Sequence, residues 1–167
     1  GRDLTVQWKS SGALVGSWNM LVYGTAIFLA ERLTNDLKAA KSRLAFGMFF
    51  LGFTNLLFGL AHHIYIVPAA SWIKYIAYGI SMTELLFLAR MLRNMRKTYI
   101  ANKTNFHHTS FRFLMVSDFW IFLNLALALA ISVPAINIYS HGTHITVAHS
   151  MGSTIGINTM ILLASCL

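Results

Sequence analysis

Two adjacent histidines, His62 and His63, close a long apolar stretch that ends Leu57-Phe58-Gly59-Leu60-Ala61-His62-His63. Ionisable side chains inside an apolar span are costly, and each one marks a candidate site. Imidazole is the commonest protein ligand for metals, so the pair points to metal ligation. A third histidine, His149, lies in a second apolar segment. Glu84 lies in a third, in Ser81-Met82-Thr83-Glu84-Leu85-Leu86, with no basic residue within a helical turn. A carboxylate in such surroundings takes up a proton or finds a cation. Two imidazoles and one carboxylate favour iron over copper as the partner. Together these residues describe a candidate membrane-embedded redox centre.

Adjacent helical residues point about 100° apart. His62 and His63 therefore converge on one metal only where the helix loosens, and Pro68 just beyond them allows this. Their plainer role is as interfacial histidines hydrogen-bonded to carbonyls. His149 and Met151 are about 200° apart on a helix and face opposite ways. His149 suits an axial haem ligand. Met151 suits a second haem, although in a chain with eight methionines core filling is the plainer role. Gly152 and Gly156 form a small-xxx-small face, open to a neighbouring helix or to a flat macrocycle. His141 and His144 stand at the mouth of that segment, placed for haem propionates, an interfacial cation or a solvated loop. His107 and His108 read as solvated. Asp118 reads as a partner of Arg112 or a turn cap.

The elements that must position these residues follow from composition. The chain has 167 residues, 56% hydrophobic and 11% charged, with a mean hydropathy of +0.60; soluble domains carry about 25% charged residues. This is the signature of an all-α polytopic membrane protein, since unsatisfied backbone cannot sit in lipid. The net charge of +8 is then a matter of location and not a nucleic-acid signal. The single cysteine, Cys166, excludes a disulfide framework and a Cys-rich metal site. No charged n-region precedes a short apolar stretch, so no signal peptide is read. A start at Gly1 and an end inside an apolar run read as a piece of a longer chain. Five stretches are long enough to span a bilayer, at about 20 residues each: 13–30, 44–67, 71–92, 113–136 and 143–167.

Basic residues orient these spans. Arg32, Lys38, Lys41 and Arg43 follow the first span, and Arg90, Arg93, Arg96, Lys97, Lys103 and Arg112 follow the third. Only Arg2, Lys9 and Lys74 fall on the opposite side. The basic side is cytoplasmic, and Gly1 starts outside. Trp8, Trp72 and Tyr139 then form an outer aromatic belt. The second span runs outward and the fifth inward, which places His62, His63 and His149 at one depth and Glu84 somewhat deeper.

Ala61-His62-His63, the Glu84 segment and the run from His141 through Gly142, Thr143 and His144 to His149 resemble the catalytic subunit of bacterial nitric oxide reductases, within the haem-copper oxidase superfamily. The resemblance covers nearly the whole chain and implies about five helices of a twelve-helix core. It implies that His62, His63 and Glu84 hold a non-haem iron (copper in an oxidase), with Glu84 also catalytic. It further implies that His149 is the proximal ligand of a high-spin haem b, and that His141 stands at the propionate end of the same helix. A low-spin haem b would be the second cofactor, with Met151 as its candidate ligand. Nitric oxide as substrate, a cytochrome c subunit or quinol as electron donor, membrane lipids as surroundings, and a multi-pass location in the bacterial inner membrane follow in the same way. Three positions depart from the pattern. Ser11 stands where the family has a third metal-binding histidine, Met151 where it has a low-spin haem histidine, and Asn19 where it has a glutamate. A terminal oxidase or nitric oxide dismutase is the nearest alternative, and a non-catalytic membrane scaffold is the alternative of another class.

Overall fold

The computed structural model describes residues 2–35, 41–58, 61–101 and 107–167. The side chains of Ser11, Asn19, His62 and Glu84 lie outside the described part. Every regular element among the described residues is helical. Helix α1 (Arg2–Ser11) runs through a π segment (Gly12–Asn19) into α2 (Met20–Thr34). Asp3 in the first turn and Lys9 in the last turn of α1 complement the helix dipole. Asn35 ends α2 in the left-handed region, at φ 54°, a conformation that asparagine tolerates better than most residues.

Helix α3 (Arg43–Phe58) and the short α4 (Ala61–Ile64) lead to the turn at Pro68. Helix α5 (Ser71–Ala101) extends past the predicted span into the basic loop, and α6 (Thr109–Ser132) returns. The fourth span was expected to run to Ile136. Instead the chain breaks at Val133, which is extended, and Pro134 opens a separate helix, α7 (Pro134–Ser140). The cause is local: proline lacks the N–H that would continue α6, but it suits the first position of a helix. Gly142, left-handed at φ 73°, turns the chain. Thr143 then caps α8 (His144–Met151), its side chain accepting from the Ile145 N–H at 3.2 Å. A second π segment (Gly152–Thr159) and α9 (Met160–Cys166) complete the fold.

Two apolar clusters hold the helices together. Leu114, Ile157, Ile161 and Ala164 join α6 to the last helical run, with Val22, Ala26 and Leu29 of α2 packed against them. Ile64, Val67 and Ala77 join α4 to α5, with Leu4 of α1 alongside. Helix α6 sits at the centre, touching α2, α4, α5, α7, α8, α9 and the second π segment. Two runs among the described residues, Thr109–Ser132 and His144–Cys166, are long and apolar enough to cross a membrane. Only 22% and 33% of their apolar windows is buried within the chain. The core helix of a soluble protein would be mostly buried, so these helices expose apolar surface that water does not suit. Trp8, Trp72 and Tyr139, the expected aromatic belt, are all exposed.

Candidate redox site

The histidines arrive on separate elements. His63 belongs to α4, His141 to the turn before α8, and His149 to α8. They are far apart in the chain, yet the His63 imidazole lies within electrostatic reach of both His149 and His141. All three are half-buried. Met151 is exposed over half of its surface. His144 is exposed beside the mouth. Glu84 lies on α5, one turn past the buried Ser81.

How α4 is held follows from the break after α6. The last carbonyls of a helix lack intrahelical donors. Here Val133 N–H donates to the Ala130 carbonyl at 3.2 Å. The Asn137 side chain donates from Nδ2 to the Ile131 carbonyl at 2.9 Å. The Ile136 N–H, which would serve Ser132 in a continuous helix, donates to Val133 instead. Ser132 is fully buried, and its carbonyl accepts from the Tyr65 hydroxyl at 2.6 Å. Lys74 Nζ in turn donates to the Tyr65 carbonyl at 2.7 Å, tying the start of α5 to the same residue. The residue two positions after His63 is thereby fastened to both α6 and α5.

His149 is held about two turns further back along α6. Its ring is hydrogen-bonded to the backbone of Asn124. One turn on, a Cβ at Gly152 would meet Asn124 Oδ1 at 2.8 Å; a further turn on, one at Gly156 would meet the Trp120 ring at 2.3 Å. The small-residue face is therefore filled by a neighbouring helix, with no room there for a macrocycle. Gly152, Gly156, Ile157 and Asn158 are all buried against it. Tyr65, Trp120, Asn124 and Ser132 were not singled out by sequence reasoning. The available signals were an asparagine inside an apolar span and a proline inside its predicted end.

Among the described residues no three His, Cys, Asp or Glu side chains come together to hold a metal ion. Of the three residues expected around a non-haem metal, only His63 has a described side chain. Asp118, on α6, is half-buried. No curated protein and no solved structure shows significant similarity to the chain. The sequence profile of one family, Cytochrome C and Quinol oxidase polypeptide I, matches residues 3–167. The chain therefore belongs to this family of haem-copper oxidase subunits, membrane-integral oxidoreductases that bind haem and copper or iron centres.

Proposed function

We propose that this chain contributes to the catalytic core of a nitric oxide reductase, which joins two nitric oxide molecules with two electrons and two protons to give nitrous oxide and water. The observation that carries this reading is that His63 lies within electrostatic reach of His141 and His149, which come from elements far apart in the sequence. The likeness of the His62-His63, Glu84 and His141–His149 segments to that branch narrows the chemistry within the family. The proposed setting is a bacterial inner membrane, with a cytochrome c subunit or quinol as donor.

His149 fits a haem iron. Metal-binding imidazoles are generally backed by a carbonyl or carboxylate on their other nitrogen, and the Asn124 backbone holds one nitrogen of the His149 ring. When bound, the haem supplies the redox-active iron. His141, at the mouth, would meet the propionate edge, and Met151, turned the other way, would face a second haem. The donor set for a second metal is His62, His63 and Glu84, in which Ser11 supplies no imidazole. A carboxylate in that shell also serves as a proton carrier from the outer side. Bringing two small reactants together at one site would supply proximity, and cationic groups around them would stabilise the developing negative charge.

The test uses the purified full-length protein under anaerobic conditions. Nitric oxide consumption with matching nitrous oxide production, haem b in the spectrum and iron without copper are the expected results. Oxygen reduction with bound copper would replace this reading with a terminal oxidase, and oxygen release from nitric oxide with a dismutase. A haem-free protein would leave only the scaffold.

A further inference from the structure

We propose that α6, which carries none of the expected ligands, is the spacer that sets the separation between His63 and His149, with Tyr65, Trp120 and Asn124 as its positioning residues. This rests on the reading of His63 and His149 as two sides of one site. At one end, the Tyr65 hydroxyl donates to the Ser132 carbonyl at 2.6 Å, two residues beyond His63. At the other, the His149 ring meets the backbone of Asn124. Ser132 lies eight residues past Asn124, about 12 Å along a helix that rises 1.5 Å per residue. A helix is stiff over that length, so the two anchors translate into a fixed offset between the imidazoles.

The second anchor is keyed in register as well as bonded. Trp120 and Asn124 are one turn apart on α6, and Gly156 and Gly152 are one turn apart on the facing run. Each bulky side chain seats on one glycine, where a methyl group would stand 2.3 Å from the indole and 2.8 Å from the amide oxygen. Real Cβ atoms do not approach so closely, so a slip of one residue either way is blocked. The widened π turn lies over these two glycines. Wide turns of this kind occur often at functional sites. The first anchor is equally specific. Ser132 offers its carbonyl because Pro134 ends α6 and sends the Ile136 N–H to Val133.

The experiment measures the offset directly. Nitroxide labels are placed on the full-length protein at exposed positions beside the two histidines, by Ile66→Cys and Val147→Cys, with Cys166→Ser and any other cysteines also replaced. The label–label distance distribution is recorded for this background and for three variants. Tyr65→Phe removes only the hydroxyl, and is expected to shift and broaden the distribution while leaving the helices intact. Gly156→Ala should shift it too, and Trp120→Ala added to Gly156→Ala should bring it back, because the smaller side chain vacates the space the methyl needs. An unchanged distribution in both Tyr65→Phe and Gly156→Ala overturns the proposal. Failure of Gly156→Ala to fold leaves Tyr65→Phe to decide.

A spectroscopic readout separates positioning from general destabilisation. In the haem-loaded protein, Gly156→Ala should shift the iron–histidine vibration, and the double variant should return it. Tyr65→Phe should leave that band in place and alter the vibration of carbon monoxide bound on the His63 side. Bands identical to wild type in all three would also overturn the proposal. A protein without haem would refute the proposed function, and the label distances would still decide the role of α6.

Discussion

At the scale of single residues, His149 makes the sharpest claim. It is half-buried, backed by the Asn124 backbone and close to His63. His149→Ala is expected to abolish the high-spin haem spectrum while far-ultraviolet dichroism keeps its helical shape; a retained high-spin signal would remove His149 from the ligand set. Glu84 carries the second claim. With Ser11 where an imidazole is expected, a shell of two histidines leans on its carboxylate. Glu84→Gln keeps size and hydrogen bonding but removes the anion. It should lower non-haem iron content and turnover together, with haem near normal. Iron retained with turnover lost would make Glu84 a proton carrier; no change in either would make it structural. The relation of His63, His141 and His149 was legible in the sequence because imidazoles stand out in apolar runs, whereas the side chains of His62 and Glu84 lie outside the described part. Tyr65, Trp120 and Asn124 were not legible, because an aromatic or amide in a span looks like lipid-facing filler until its neighbour is known. Gly152 and Gly156 announced a close approach without saying what approaches.

At the scale of elements, breaks matter as much as helices. Hydropathy implied an all-helical chain, and every regular element among the described residues is helical, but it ran the fourth span through Pro134, because an apolar average does not register one missing N–H. The structure ends α6 at Ser132, and that ending frees the carbonyl that Tyr65 takes. The turn before α8 is equally particular. Gly142 is left-handed at φ 73° with open space where a side chain would stand. Gly142→Ala therefore adds backbone strain without a clash, and should cost roughly 1 kcal/mol. Its measure is the midpoint of thermal or denaturant unfolding in detergent. A loss near zero would mean that the turn relaxes. The Thr143 cap, with its hydroxyl also donating to the Ser140 carbonyl at 2.6 Å, holds the same corner.

For the whole molecule, the family match and the exposed apolar helices agree on a membrane protein. The orientation is open to a direct check. A reporter fused between Arg93 and Lys103 should report the cytoplasm, and one fused near Tyr139 the outside. The reverse pattern would put the basic loops on the wrong side and dismantle the depth argument for the histidines. The π segment over Gly152–Thr159 has one more consequence, for the chain's tolerance of lost residues. A π turn holds one residue more than the α turn it replaces, while the helix on either side keeps its phase. Deleting Thr159, past the two keyed glycines, should close the wide turn to ordinary pitch and leave Ile161 and Ala164 facing the core. The same deletion inside α6 would rotate everything beyond it by about 100°. Scanning single-codon deletions for the amount of protein inserted in the membrane should therefore show a window of tolerance at 157–159, past the two keyed glycines, and none along 114–132.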